Sequence, residues 1–253
     1  MLEQFDLSGR VALVTGGNGG IGLGIAVGLA KAGADLVIAA RNEAKTAAAV
    51  REIEALGRRC LGIRCDVTLR DDIKSCVRQT VEAFGRLDVL VNNAGIARGA
   101  RPEAIAEADW DLVLDTNLKS AFLFAQAAFP FLKKNGGGKV INIASEYSLF
   151  GSPRVASYSA SKGGVVQLTK SLAVAWARDN IQVNAILPGW IRTDMTQPLI
   201  DNADQYRRII ERTPADRFGE PDELAGAAVF LASRASGFVT GQTLAVDGGY
   251  SIS

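Results

Sequence analysis

With 253 residues, 48% of them hydrophobic and 22% charged, the chain has enough apolar material for one large core and enough charge to keep it dissolved. Lys and Arg number 28 against 27 Asp and Glu, a formal +1 that leaves no electrostatic footprint for nucleic acid. Histidine is absent, which excludes a Ser-His-Asp hydrolase and a His-ligated metal and leaves any proton transfer to another side chain.

Along the chain, apolar β-prone runs alternate with helical ones. Strands are expected at 10–15, 34–40, 59–65, 87–91, 138–144, 181–187 and 243–246. Helices are expected near 20–32, 43–56, 70–84, 107–133, 157–178 and 222–233. The strand runs are apolar on both faces, as parallel strands covered by helices on each side must be, so the fold class is α/β with a seven-stranded parallel sheet. No repeat, low-complexity block or proline-rich linker divides residues 1–253, which read as one domain. The segment at about 190–220, rich in Asp, Pro and Arg, reads as irregular and as a lid.

The first strand runs straight into Gly16-Gly17-Asn18-Gly19-Gly20-Ile21-Gly22, and a helical run follows. Strand, glycine turn and helix form the opening unit of a doubly wound, Rossmann-type domain. The glycines let the backbone approach a pyrophosphate, which sits on the amide-rich end of the helix. At the end of the second strand, where an NAD site places an acid, stands Ala40, followed by Arg41. That favours NADP(H), with NAD(H) possible. Against it, the glycine turn has no basic residue before Gly20 to share that charge.

Tyr158 and Lys162 are four apart, so a helix opening near Tyr158 puts them on one face. A phenol titrates near ~10, and a cation beside it favours the phenolate, which makes the pair a candidate acid/base. Ser145, thirteen residues before the tyrosine, can hold a substrate oxygen. Alone, a Tyr-x-x-x-Lys pair is ordinary helix decoration. The glycine turn gives it weight. Cys60, Cys65 and Cys76 are odd in number and lack CxxC spacing, so they read as reduced core or strand residues, and no metal is expected. The amino terminus has neither a basic nor an apolar leader segment, and the apolar run 121–132 is broken by Gln126 and Pro130. No membrane and a cytoplasmic location are therefore expected.

Taken together, Thr15-Gly16-x-x-x-Gly20-x-Gly22, Asn92-Asn93-Ala94-Gly95, Ser145, Tyr158 and Lys162 resemble the short-chain dehydrogenase/reductase family over essentially the whole chain. The resemblance implies a catalytic set of Asn117, Ser145, Tyr158 and Lys162. Lys162 would lower the phenol pKa and hold the nicotinamide ribose, while Asn117 would position a water linking Lys162 to solvent. It also implies cofactor contacts from Gly16, Asn18, Gly20, Ile21, Gly22, Arg41, Asp66, Val67, Asn93, Ala94, Gly95, Pro188, Gly189, Ile191 and Thr193, with Tyr158 and Lys162. Asp66 would meet the adenine amino group, though an Asp before a turn is also a good helix cap. Asn93 is expected to brace its turn rather than react. In this family the two long central helices pair between subunits. Their small residues (Gly163, Gly164, Ala173, Ala175, Ala177) and the tail Asp247-Gly248-Gly249-Tyr250 accordingly imply a homotetramer.

Glu146-Tyr147-Ser148 makes the wall beside Ser145 unusually polar, and Pro153-Arg154-Val155-Ala156-Ser157-Tyr158 is similar to the stretch in dehydrogenases of keto-deoxy sugar acids. A substrate set of Ser145, Glu146, Arg154 and Tyr158 follows, with Arg98 or Arg192 as other partners for a carboxylate. Glu146 either faces the substrate or pairs with a lid arginine such as Arg192. The second reading is a 3-oxoacyl-carrier-protein reductase, for which Asp179 and the Gly136–Gly138 run offer little basic docking surface. A non-catalytic dinucleotide sensor is the third, and need not keep all four reacting residues. An epimerase or dehydratase of related fold would bring a separate C-terminal substrate domain.

Overall fold

Strands and helices alternate in the computed structural model, which describes residues 2–253. In chain order they are β1 (Val11–Thr15), α1 (Gly20–Lys31), β2 (Asp35–Ala40), α2 (Glu43–Glu54), β3 (Cys60–Arg64) and α3 (Arg70–Phe84). Then come β4 (Val89–Asn92), α4 (Glu107–Leu114), α5 (Ser120–Lys134), β5 (Gly138–Ile143) and α6 (Ala156–Trp176). The chain closes with β6 (Ile181–Pro188), α7 (Gln197–Ile200), α8 (Ala203–Arg212), α9 (Ala225–Ala232) and β7 (Thr243–Val246).

The strands form one seven-stranded sheet in the order β3-β2-β1-β4-β5-β6-β7, every pairing parallel. The order reverses at β1, which pairs with β2 on one side (Val14 opposite Ile38) and β4 on the other (Val14 opposite Val91). A crevice opens where connections leave in opposite directions, at the carboxyl ends of β1 and β4.

Burial on both faces produces two core layers. Ile25, Leu29, Leu36, Ile38, Val89, Ile141 and Leu231 fill the side covered by α1 and α9. Leu13, Val37, Ile73, Leu90, Phe124, Leu132 and Val183 fill the side covered by α3, α5 and α6. Helix α3 shows why the period predicts the face: Ile73, Cys76, Val77 and Thr80 recur at helical spacing and are the residues it buries. All three cysteines are free thiols; Cys65 and Cys76 are buried, and burial pushes Cys60 up to about 12.

Three expectations need correction. Both edge strands are only partly covered, with β3 mostly exposed or intermediate and β7 exposed along Thr243–Ala245, because an edge strand lacks a neighbour on one side. The run read as one helix over 107–133 is interrupted by a π turn at Asp115–Lys119, where Ser120 N bonds back five residues to the Asp115 carbonyl. The segment 190–220 is not irregular: α8 lies inside it, capped by Asn202, whose side chain accepts from Gln205 N. Half of its ten residues are charged and Ile209 is its one buried residue, so it gives the core little apolar surface to mark it. Among the described residues, no helix is long and apolar enough to cross a membrane.

Candidate active site

The glycine turn closes over the crevice with Gly16 and Gly20 at positive φ (62° and 49°), a region other residues seldom occupy. Gly22 serves another purpose: a Cβ there would collide with the Gly16 carbonyl and the Asn93 amide. That contact is occupied by a brace. Asn93 Nδ2 donates to the carbonyls of Thr15 (2.9 Å) and Gly16 (3.1 Å), and Thr15 Oγ1 accepts from the backbone N–H of Asn93 and of Ala94, both at 3.0 Å. The β1 and β4 turns are thus locked together, as expected for Asn93.

Helix α1 begins at Gly20 with Gly19 as its N-cap, so no side chain caps its first amides. Nothing lies within 4 Å of where a Gly19 Cβ would stand, and no acid occupies the first turn. Open space over uncapped amides fits a pyrophosphate. Across the crevice, Thr193 packs on Gly20, whose added Cβ would meet Thr193 Cγ2 at 3.1 Å. Pro188 ends β6, Gly189 passes too close to Asp247 for a side chain, and Ile191 is buried. The Asn18 side chain turns outward to α2, donating to the Asn42 carbonyl (3.3 Å) and Thr46 Oγ1 (3.1 Å), and Ile21 packs on the core.

Arg41 leaves the end of β2 with its side chain 68% exposed, its nearest carboxylate oxygen being Asp66 Oδ2 at 3.9 Å. At that separation there is attraction but no hydrogen bond, so its donors are free among the described residues. Burial would raise Asp66, but bonds from the Thr68 N–H and hydroxyl, with Arg41 beyond them, hold it below the usual carboxylate range. Asp66 does not cap α3, whose N-cap is Leu69; Val67 beside it is buried.

Ser145 follows β5 and caps a short turn, its Oγ accepting from Tyr147 N at 3.2 Å. Tyr158 stands in the first turn of α6 and Lys162 one turn later, its Nζ 5.6 Å from the centre of the tyrosine ring. The expected depression of the phenol by the lysine is absent. Burial dominates and pushes Tyr158 up to about 12, the Ser145 hydroxyl pulling the other way and the Glu146 charge adding to the rise. Burial also brings Lys162 down to about 8, and its ammonium is anchored on the Ile143 carbonyl at 2.7 Å.

Asn117 sits in the π turn, 3% exposed. Its Nδ2 donates to the Ile96 carbonyl (2.9 Å) and Ser161 Oγ (3.0 Å), while Oδ1 accepts from Ile96 N (2.8 Å). Both amide donors are spent, so a water could be held only by the second Oδ1 lone pair or the backbone. Ser161, which sequence reading missed, ties the set together by donating to the Tyr158 carbonyl at 2.7 Å. Its place directly before Lys162 was the available signal. A Cβ on Gly95 would stand 3.4 Å from Asn117 Oδ1 and 3.5 Å from Lys162 Nζ, so that turn forms the floor of the set.

Glu146 is 3% exposed, with Oε2 lacking any hydrogen-bond partner among the described residues. Burial, reinforced by Asp247 and opposed by Arg212, pushes it up to about 8. It does not pair with Arg192, which is held by Glu220 at 3.0 Å; Arg98 is likewise committed to Asp109 at 3.6 Å. Arg154 is exposed and, among the described residues, has no ion-pair partner. An aromatic chain runs outward from the tyrosine: Tyr158 to Tyr147 (6.1 Å), Tyr147 to Trp190 (6.0 Å), Trp190 to Tyr250 (6.1 Å). At its end Arg212 lies 4.7 Å from the Phe150 ring and 4.3 Å from the Tyr250 ring. Trp190 and Arg212 carried no motif, and only the fold of the lid brings them here. The tail bearing Tyr250 packs on the lid of its own chain, Gly249 against Pro214.

The family model described as enoyl-(acyl carrier protein) reductase matches residues 16–251. A 2-dehydro-3-deoxy-D-gluconate 5-dehydrogenase of Dickeya dadantii is 45% identical over 99% of this chain and 98% of its own. A 3-oxoacyl-(acyl-carrier-protein) reductase of Thermotoga maritima is 40% identical over 96% and 98%. The solved structure of a gluconate 5-dehydrogenase from Burkholderia cenocepacia, in complex with NADP and tartrate, superposes with a TM-score of 0.96 at 43% identity, covering 100% of this chain and 99% of that one. With the glycine turn, the braced Asn93 and the Ser145, Tyr158 and Lys162 constellation in one crevice, the chain belongs to the short-chain dehydrogenase/reductase family.

Proposed function

We propose that this protein interconverts a ketone and a secondary alcohol on a small, sugar-acid-like substrate, using NADP(H) in preference to NAD(H). The observation that carries the reading is the convergence of Ser145, Tyr158 and Lys162 beside a crevice floored by uncapped α1 amides. The bound dinucleotide supplies the hydride chemistry. In reduction, Tyr158 donates its phenolic proton to the carbonyl oxygen while the Ser145 hydroxyl hydrogen-bonds that oxygen. Lys162, fixed by Ile143, holds positive charge behind the phenol ring and would hold the nicotinamide ribose. Asn117 acts by fixing the turn at Ile96, and a water relay would use its remaining acceptor.

Ala40 in place of an acid, and the unspent donors of Arg41, support the 2′-phosphate. The substrate class is supported by the sugar-acid relatives, by the unpaired Arg154 as an anchor for a carboxylate, and by the unpartnered Glu146 oxygen as an acceptor or donor for hydroxyls. We read residues 1–253 as one catalytic domain with 190–220 as its lid, working in the cytoplasm as a homotetramer. The assembly is supported by apolar groups left uncovered, namely Val174 (83%), Phe238 (104%), Ile252 (88%) and Leu244 on edge strand β7. Gly163 also faces open space, whereas Gly164 packs internally on Leu118.

Initial rates on sugar acids, diketones and 3-oxoacyl thioesters, each with both cofactors, test the reading. Thioester turnover well above that of every sugar acid would favour the acyl-carrier reductase. Cofactor binding without turnover anywhere in the panel would favour the sensor.

A further inference from the structure

Four residues beyond Arg41, in the first turn of α2, stands a second cation. Arg41 precedes the Asn42 N-cap of α2, and the Lys45 N–H is fixed by the Asn42 side chain at 2.9 Å. This corner lies against the glycine turn, because Asn18 donates to both the Asn42 carbonyl and Thr46 Oγ1. Lys45 Nζ reaches across the crevice to Asp194 Oδ2 at 2.8 Å. Asp194 directly follows Thr193, the residue that packs on Gly20. Among the described residues, no other ion pair joins α2 to the lid.

Both partners are open to solvent, with side chains 58% and 92% exposed, so the pair is weak and readily exchanged. Residues 16–22 contain no base, so the glycine turn supplies no second cation beside Arg41. A ribose 2′-phosphate carries about −1.5 to −2 charges near neutrality and several acceptor oxygens, against a single charge on Asp194. A 2′-phosphate held at Arg41 would therefore outcompete the carboxylate for the Lys45 ammonium.

Building on the NADP(H) reading above, we propose that Lys45 is a second cofactor-specificity residue, leaving Asp194 to take the 2′-phosphate together with Arg41. Asp194 is then the residue that holds Lys45 in waiting and moderates the affinity for NADP(H). The two cofactors differ only in that phosphate, so NAD(H) gains nothing from the exchange.

Equilibrium titration of NADPH and NADH by cofactor fluorescence, on wild type and Lys45→Met, Asp194→Asn and Arg41→Ala, decides the matter without recourse to turnover. All three side chains are exposed, so folding is not at stake. Lys45→Met should weaken NADPH by about fivefold or more while NADH stays within about twofold, as loss of one charge-assisted contact requires. Asp194→Asn should tighten NADPH and leave NADH alone. An unchanged NADPH-to-NADH ratio in Lys45→Met overturns the proposal, as does equal weakening of both cofactors by Asp194→Asn, which would make the pair a lid clamp. A selective loss in Arg41→Ala with none in Lys45→Met defeats the role of Lys45 but leaves the NADP(H) reading standing. Tighter binding of NADH by wild type defeats both.

Discussion

The Lys162 ammonium lies 5.6 Å from the centre of the Tyr158 ring and is bonded to the Ile143 carbonyl at 2.7 Å. The strand therefore decides where the lysine sits, and the phenol keeps its proton through burial, at about 12. A phenol of that kind is loaded as an acid throughout the neutral range, whereas alcohol oxidation needs its conjugate base. We expect kcat/KM for oxidation to climb from about pH 6 to about pH 10 while reduction does not climb, since a base works only in its deprotonated fraction. Tyr158→Phe should remove at least ~10²-fold of turnover and leave NADPH binding within a few-fold, because one hydroxyl is deleted. A flat oxidation profile, or a variant retaining more than about a tenth of the rate, would refute the proton-transfer role.

Glu146 sets a second pH dependence, this time on stability. Its folded-state pKa, pushed up to about 8 by burial and Asp247, lies above the ordinary 4.5. The folded protein thus holds a proton that the unfolded chain releases, so the contribution is fully present below the unfolded value and is lost as pH rises through about 8. Glu146→Gln keeps the shape and removes the titration. Thermal melts should show wild type losing roughly a few kcal/mol between about pH 5 and about pH 9, with the glutamine variant declining less. Parallel declines would mean that Glu146 is not the group responsible.

The legible parts of this molecule were those in which one local pattern does one job. Strand β1, the glycine turn and α1 were readable because burial on both faces and close backbone approach each leave a mark in consecutive residues. The placing of Tyr158 beside Lys162 was readable from helical spacing. The hold of Ile143 on Lys162 was not, because a backbone carbonyl has no sequence signature. The π turn at Asn117 was hidden because its residues suit an ordinary helix equally well. Arg212, Trp190 and the Lys45–Asp194 pair come together only when the lid folds over the sheet, and residues that distant share no period.

Gly22 offers a test of the brace between the two crevice turns. An added methyl would land on the Gly16 carbonyl and the Asn93 amide, and neither is the free end of a flexible side chain. The bonds from Asn93 to Thr15 and Gly16 must then lengthen or break. Gly22→Ala should destabilise the fold by about 1–3 kcal/mol, the usual penalty of overpacking, and weaken both cofactors together. Melting temperature and dinucleotide titration measure the two effects. Unchanged cofactor affinity would show that the brace does not shape the binding turn.

Arg154 tests the carboxylate half of the substrate reading. Arg98 and Arg192 are engaged by Asp109 and Glu220, whereas Arg154 has no acidic partner among the described residues and stands four positions before Tyr158. An arginine with free donors can grip a carboxylate through two parallel bonds, and losing such a contact costs about 1.5–3 kcal/mol, roughly tenfold or more in kcat/KM. Arg154→Gln should therefore depress kcat/KM for a carboxylated ketone by that factor and leave a neutral ketone of similar size nearly unchanged. Arg192→Gln should affect the two alike, since its partner is the lid and not the substrate. Arg212 is the informative control: it also lacks an acidic partner among the described residues but is stacked between Phe150 and Tyr250 at the mouth. A carboxylate-selective loss in Arg212→Gln, with none in Arg154→Gln, would move the anchor from the α6 loop to the lid and refute the assignment to Arg154.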